Sequence, residues 1–180
     1  MDKQPMRHVI VNGLLFQLCW ALAIFSEPMF ALLSLVVLVV HYVWSSVDLL
    51  TDLQVPTLVL ITGVTIDSLF ALAGVYSFAA REGAMAAMTL PVWLVILWVA
   101  FALTLTRSLA WMVRKGMWFI VACAVAGPLS YLTGRSAGVI YFDDAALALI
   151  SIEWAAVGFC TYMISRYRSA VESKTWVSSV

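Results

Sequence analysis

The chain has 180 residues, of which 64% are hydrophobic and 11% are charged, and its formal net charge is zero. Soluble domains carry about 25% charged residues, and a single soluble core of this size could not bury so much apolar surface. The composition therefore predicts an integral membrane protein. Because basic residues are not in excess, nothing indicates a nucleic-acid partner.

Apolar segments follow one another along most of the chain. A membrane-spanning helix needs about 20 residues, with a range of about 17–25. Six segments meet or approach this length, at about residues 8–25, 29–44, 55–76, 91–112, 117–132 and 145–165. We predict an all-α, six-helix membrane domain over residues 1–168, followed by a flexible cytoplasmic tail over residues 169–180.

The first segment resembles a secretory signal peptide. Lys3 and Arg7 precede an apolar run that ends in small residues at 21–23, as in a cleavable leader. Asn12 and Gln17 interrupt the run, however, and a second apolar segment follows at once. We therefore expect the first helix to be retained.

Basic residues are unevenly divided between the two ends of the predicted bundle. With six crossings, eight of the ten Lys and Arg residues fall on the side of the termini, and only Arg81 and Arg135 fall on the other. Because cytoplasmic loops are enriched in Lys and Arg, we expect both termini in the cytoplasm. Six segments also allow a 3+3 inverted repeat.

Two acids lie inside apolar segments, where a carboxylate costs at least about 2.5–3.5 kcal/mol. Asp67 is 12 residues into the third segment, and Glu153 is 12 residues from the inner end of the sixth. Both are therefore expected about 18 Å from the cytoplasmic boundary. If they meet, they would share one proton. Gly63 and Gly74, on roughly the same helical face as Asp67, would permit close helix contact.

Two interpretations of these acids stay open. In the first, Asp67 and Glu153 line a polar pocket at the membrane midplane with Asn12 and Gln17, and they bind a proton or a cation. In the second, the acids form a structural pair, and Asn12 and Gln17 simply make hydrogen bonds between helices.

Basic residues cluster at the cytoplasmic end of the fourth segment. Arg107 there is either an interfacial arginine that extends to the membrane surface or part of an anion site. In the second case Arg114 and Lys115 would help it to bind an anionic lipid headgroup.

A proline interrupts the fifth segment. Gly127 and Pro128 predict a kink that frees a backbone carbonyl, and Tyr131 and Arg135 follow toward the outer face. We treat Pro128, Tyr131 and Arg135 as a second candidate site.

Catalytic and metal-binding motifs are missing from the sequence. The three cysteines form no CxxC pair, and His8 and His41 lack ligand spacing. We predict no cofactor and no metal, and we do not expect an enzyme.

Polar residues at fixed places in the apolar helices carry a family resemblance. The stretches are 12–20, 63–69, 91–101, 108–111 and 127–134. Together they resemble a family of small six-helix bacterial inner-membrane proteins of unknown function. The resemblance implies genes often found near those of cyclopropane-fatty-acid-synthase-like enzymes, and hence work on lipids.

Three functions follow as hypotheses. The first is an accessory protein in membrane-lipid or fatty-acid modification and envelope stress, whose partners are membrane lipids and either a lipid-modifying enzyme or a second copy of the chain. In this hypothesis Arg107, Asn12 and Gln17 would hold a headgroup or the partner enzyme. The second is a small proton-coupled transporter or permease that uses Asp67 and Glu153. The third is a structural or assembly protein with no site.

Overall fold

The protein is almost entirely helical. A computed structural model describes residues 5–79 and 89–177, with side chains as far as residue 170. The helices in these residues are α1 Met6–Phe25, α2 Pro28–Trp44, α3 Leu49–Leu72, α4 Val92–Ala102, α5 Ala110–Val113, α6 Met117–Ser136 and α7 Ala146–Val177. Two short strands, β1 Ser77–Phe78 and β2 Ile140–Tyr141, pair antiparallel. This ribbon is the part of the fold that the all-α prediction missed.

Four helices are long and apolar enough to cross a membrane. They are α1, α3, α6 and the Ala146–Ala170 part of α7, whereas α2 and α4 are apolar but shorter. Large apolar side chains are exposed along the outer faces of the helices, such as Val36 and Val40 on α2. Soluble monomers rarely expose apolar patches of this extent. The chain is thus a membrane protein, and the predicted inverted repeat stays a prediction.

Short polar caps set the ends of the long helices. Asp48 precedes α3 and accepts a hydrogen bond from the backbone N–H of Thr51 at 3.2 Å, which satisfies a free donor of the first turn. In the same way Asp143 accepts from the backbone N–H of Ala146 at 3.0 Å at the start of α7. Helix α3 therefore begins before the predicted third segment and includes part of the predicted connection.

Helix α4 lies at the centre of the bundle. It packs against α1, α2 and α3, while α7 packs against α3 and α6. Eight of the eleven residues of α4 are buried, so α4 forms much of the core. Packing between α1 and α6 is sparse by comparison, and a groove lies between these two helices.

The fourth predicted segment is interrupted, and the fifth is continuous. Helix α4 ends at Ala102, turns follow over residues 103–109, and α5 resumes the path. By contrast, α6 runs through the buried Pro128 without a break. The predicted kink at Pro128 stays a prediction, and Arg135 lies within α6.

Some sequence predictions fall outside the described structure. Lys3 and Arg81 belong to residues that it does not describe, and the side chain of Lys174 is also outside it. Helix α7 continues through residues 169–177 of the predicted tail.

Candidate functional site

Asp67 is the centre of a buried hydrogen-bond cluster. Its side chain is fully buried. The hydroxyl of Tyr131 donates to Oδ1 at 2.6 Å, and the hydroxyl of Tyr76 donates to the same oxygen. The indole N–H of Trp98 donates to Oδ2 at 2.5 Å. Donors from α4, α6 and the turn after α3 thus converge on one carboxyl group and stabilise its charged form.

Glycines allow this convergence. A Cβ at Gly63 would lie 2.3 Å from the Trp98 ring, so only glycine lets that indole reach Asp67 one helical turn away. Gly74 has a different role from the one predicted. It lies beyond the end of α3 with a φ of +73°, which glycine adopts without steric cost, and it turns the chain so that Tyr76 folds back onto Asp67.

Glu153 on α7 is the second acid of the cluster. It is 3% exposed, and its carboxyl group is close enough to that of Asp67 to interact with it. Among the described residues, neither of its oxygens has a partner in hydrogen-bond geometry. Two adjacent carboxyl groups in an apolar interior are not both charged. Because the donors surround Asp67, this geometry favours a proton on Glu153.

An aromatic layer lies beside the two acids. The ring of Trp98 stacks on that of Trp154, with centroids 5.1 Å apart and planes 13° apart, and Phe101 meets Trp154 edge-on at 5.0 Å. A Cβ at Gly127 would lie 2.1 Å from Trp154, so α6 leaves room for this ring. The layer separates the acids from the groove between α1 and α6.

The groove is a large apolar cavity. Its volume is about 480 Å³. Its walls include Phe16 and Trp20 of α1, Leu97, Trp98 and Phe101 of α4, Ala122, Cys123, Ala126 and Tyr131 of α6, and Trp154 of α7. The indole N–H of Trp20 donates across the groove to Oγ of Ser130 at 2.8 Å. Trp98 and Tyr131 therefore belong both to the groove wall and to the donors around Asp67.

A family model describes nearly the whole of this architecture. It is the model for a protein of unknown function (DUF2878), and it matches residues 9–159. The chain belongs to this family. The match runs from α1 into the first half of α7, so it includes the groove and both acids. No curated protein and no solved structure matches the chain.

The predicted midplane pocket is only partly assembled in this family member. Asp67 and Glu153 do interact, an outcome that the sequence left conditional. Asn12 instead accepts a hydrogen bond from the hydroxyl of Ser108 at 2.7 Å and donates to the carbonyl of Leu103 at 3.4 Å. It therefore stabilises the turns after α4. Gln17 is exposed on α1, which corrects its place in the pocket.

Arg107 already has an anionic partner. It is 4% exposed, and its guanidinium donates to Asp52 at 2.7 Å and to Oγ of Ser46 at 2.5 Å. It also lies over the ring of Tyr42, 4.4 Å from the centroid. This geometry fits neither an interfacial arginine that extends to the membrane surface nor an arginine that is free to bind an anion.

The other basic candidates also lie apart from the acids. Arg114 and Lys115 are exposed at the turn before α6. Arg135 pairs with Asp144 at 2.8 Å at the surface. Of the residues predicted around the proline, Tyr131 alone joins the Asp67 cluster.

Sequence reasoning missed Tyr76 and Trp98, which are brought to Asp67 by tertiary contacts. The spacing of Gly63 from Asp67 indicated a close approach on that face, but the sequence does not say which side chain fills it. His8 and His41 also meet, with Nδ1 and Nε2 3.4 Å apart. Within the described residues, no group of three or more His, Cys, Asp or Glu could hold a metal ion.

Proposed function

We propose that the protein binds the acyl chain of a membrane lipid in the groove between α1 and α6. The observation that carries this proposal is the apolar cavity of about 480 Å³. Ligand sites in proteins commonly measure about 300–1,000 Å³ and are mostly apolar. The cavity therefore has the size and chemistry of a ligand site.

The polar atoms near the groove favour an acyl chain over a polar ligand. The indole N–H of Trp20 is bonded to Ser130. The hydroxyl of Tyr131 and the indole N–H of Trp98 are bonded to Asp67. These groups are engaged within the protein, whereas the indole N–H of Trp154, also in the groove wall, has no partner among the described residues. A polar ligand would therefore find few free groups in the wall. An acyl chain needs no hydrogen bond and is the most abundant apolar group around a membrane protein.

Packing, more than hydrophobicity, would set the selectivity of such a site. An acyl chain that leaves the bilayer for the groove exchanges one apolar environment for another. The binding free energy therefore comes from van der Waals contacts with rigid rings such as Phe16, Trp98 and Phe101. Each contact contributes little, but the contacts are numerous. Chains of different shape should be retained to different extents.

We further propose six crossings of a bacterial inner membrane, with both termini in the cytoplasm. Helix α2 has 17 residues, about 25 Å at 1.5 Å per residue, and interfacial residues or local thinning would complete its crossing. The fourth crossing would combine α4, the turns and α5. The eight-to-two division of basic residues supports this orientation.

Native mass spectrometry of groove variants tests acyl-chain binding. Ala122 lines the groove, and Ala122→Phe should fill part of it. Val121, the preceding residue, is 47% exposed, so Val121→Phe adds a ring to the outer face of the same helix as a matched control. We expect lipid to stay bound to the wild type and to Val121→Phe, and to be largely lost from Ala122→Phe. Equal lipid in all three proteins, or none in the wild type, would contradict the proposal.

An accessory role in membrane-lipid or fatty-acid modification extends the same proposal. A protein that holds a lipid chain could present it to a lipid-modifying enzyme or work as a homodimer. The matching experiment compares membrane fatty-acid composition in cells that carry wild type, Ala122→Phe or Val121→Phe. A change with Ala122→Phe alone supports the role, and identical compositions overturn it even if the lipid binds.

The buried acids favour proton-coupled transport as a second candidate. Asp67 and Glu153 are adjacent, and two side chains that bind Asp67 also line the groove. A change in the protonation of the pair would therefore alter the hydrogen bonds of side chains in the groove wall. In proteoliposomes, a transporter should move protons or solute with a pH dependence that Asp67→Asn abolishes. Wild-type vesicles that show no such flux would leave acyl-chain binding as the function.

A further inference from the structure

His8 and His41 form a side-chain pair near one end of the bundle. His8 lies in the first turns of α1, and His41 lies in the last turn of α2. Nδ1 of His8 and Nε2 of His41 are 3.4 Å apart, and their ring centroids are 5.5 Å apart. Both residues are partly exposed. The chain contains no other histidine, so any imidazole chemistry of the protein belongs to this pair.

We propose that the two facing nitrogens bind a divalent transition-metal ion, such as Zn²⁺, Ni²⁺ or Cu²⁺. Imidazole nitrogens bind Zn²⁺ at about 2.0–2.1 Å in tetrahedral geometry, which places two of them about 3.3–3.4 Å apart. The observed separation has this value. The same separation also allows a long direct hydrogen bond between the two rings, beyond the usual length of about 2.9–3.0 Å, and a bound metal ion would replace that bond.

The protein groups around His41 leave its hydrogen bonding incomplete. Nδ1 of His41 is buried and has no partner among the described residues. If Nδ1 carries the ring proton, that donor is unsatisfied and Nε2 is unprotonated. If Nε2 carries it, Nδ1 is an unsatisfied acceptor. A metal ion would bind the first of these forms, in which the proton is on Nδ1 and the lone pair of Nε2 is available.

The electrostatic surroundings allow a cation at this place. Arg7 directly precedes His8 in the chain, and the positive charge of Arg107 acts on His41. The ion pair of Arg107 with Asp52 at 2.7 Å offsets the charge of Arg107. Trp44 meets His8 edge-on with ring centroids 6.0 Å apart and covers one side of the pair. The partial exposure of both rings leaves room for water at the remaining coordination positions.

Two imidazoles select the class of metal. Imidazole suits Zn²⁺, Ni²⁺ and Cu²⁺, whereas Mg²⁺ and Ca²⁺ prefer oxygen ligands. With two protein ligands the ion would be exchangeable, and it would join α1 to α2 at this end of the helical hairpin. The inference is independent of the groove, because it involves none of the groove residues.

Electron paramagnetic resonance of Cu²⁺ added to the full chain tests the site. The protein must be free of any polyhistidine tag and reconstituted in nanodiscs. We expect one strongly bound Cu²⁺ per chain, with hyperfine coupling from two imidazoles. His8→Ala and His41→Ala should each reduce the coupling to one imidazole and weaken binding by about tenfold or more, the effect of disturbing a metal site's ligand shell. Trp44→Phe, which removes no ligand, should retain both couplings.

Competition and stability measurements complete the test. Cu²⁺ should displace Zn²⁺ from the pair, as the order of metal affinities requires, whereas Mg²⁺ should displace neither ion. Zn²⁺ should also raise the thermal unfolding midpoint of the wild type and leave that of His41→Ala unchanged, since binding stabilises only the folded state. A Cu²⁺ spectrum with one imidazole or none in the wild type, or equal binding by the histidine variants, would overturn the proposal.

Discussion

The indole nitrogen of Trp98 lies 2.5 Å from Oδ2 of Asp67, and the ring of the same tryptophan forms part of the groove wall. Tyr131 makes the same double contact from α6. The acid and the groove are therefore two sides of one aromatic wall. A disturbance of the wall on either side should be measurable on the other.

Gly63→Ala should destabilise the protein by crowding this wall. The new Cβ would lie 2.3 Å from the Trp98 ring, and overpacking of this kind costs about 1–3 kcal/mol. Gly13→Ala on α1 is the control, because the nearest atom to its Cβ is at 3.4 Å, an ordinary contact. Thermal unfolding in detergent should show a lower midpoint for the first variant and little change for the second. Equal midpoints would show that Trp98 moves aside freely.

The two acids should respond differently to neutral substitutions. Asp67→Asn replaces one acceptor oxygen by an NH₂ group facing a donor, and an unsatisfied buried polar group costs about 1–3 kcal/mol. Glu153→Gln should cost less, since the Glu153 oxygens have no partner in hydrogen-bond geometry among the described residues. Chemical unfolding of both variants checks this order. A larger effect of Glu153→Gln would place the charge on Glu153.

The sequence placed Asp67 and Glu153 at a similar depth and so allowed their meeting, without predicting it. That depth was counted from segment ends by helical rise, and α3 and α7 both extend beyond those ends. Tyr76 and Trp98 could not be predicted as partners, because a turn at Gly74 and a tertiary contact at Gly63 bring them in. Depth is a local property of a membrane helix, whereas the identity of a neighbour depends on how helices are arranged.

The turns after α4 show that the fold, too, depends on contacts between helices that the sequence does not reveal. Pro128 was expected to kink its helix, and α6 continues through it without a break, as neighbouring helices often allow in membranes. The turns after α4 contain no proline and were predicted as helix. There Asn12 and Tyr42 bind polar groups of residues 103–108, so side chains from two other helices hold the non-helical backbone.

Removing Asp52 should lower the free energy of unfolding far more than removing Asp144, the exposed partner of Arg135. Arg107 has a side chain that is 2% exposed, and loss of one member of a buried ion pair costs about 3–5 kcal/mol. Asp52 itself is 26% exposed, so water will reduce the effect of Asp52→Ala to the lower end of that range. Asp144→Ala is the matched control, because its pair with Arg135 is exposed and such pairs contribute about 0–1 kcal/mol. Similar unfolding free energies for both variants would contradict a buried role for Arg107.

Asp48 should make the start of α3 sensitive to acid. The hydrogen bonds from Thr51 lower the pKa of this carboxyl group below its usual value of 3.8. A lowered pKa contributes stability that is fully present above the usual value and is lost as the pH falls through the folded value. Unfolding between about pH 5 and pH 2 should therefore show a loss in the wild type that is smaller in Asp48→Asn, which keeps a capping oxygen but does not titrate. Identical pH profiles would exclude Asp48 as a source of acid sensitivity.

Trp20→Phe should speed the exchange of a groove-bound lipid. Trp20 crosses the groove to Ser130 through one hydrogen bond of 2.8 Å, and phenylalanine keeps an apolar ring while removing the donor. Without that bond α1 and α6 should separate more readily, so a labelled lipid should enter and leave faster while the amount bound at equilibrium changes little. Trp111→Phe is the control, because Trp111 is 51% exposed and does not line the groove. An unchanged exchange rate in Trp20→Phe would show that the lipid enters without parting these helices, and a loss of bound lipid would show that the bond shapes the groove itself.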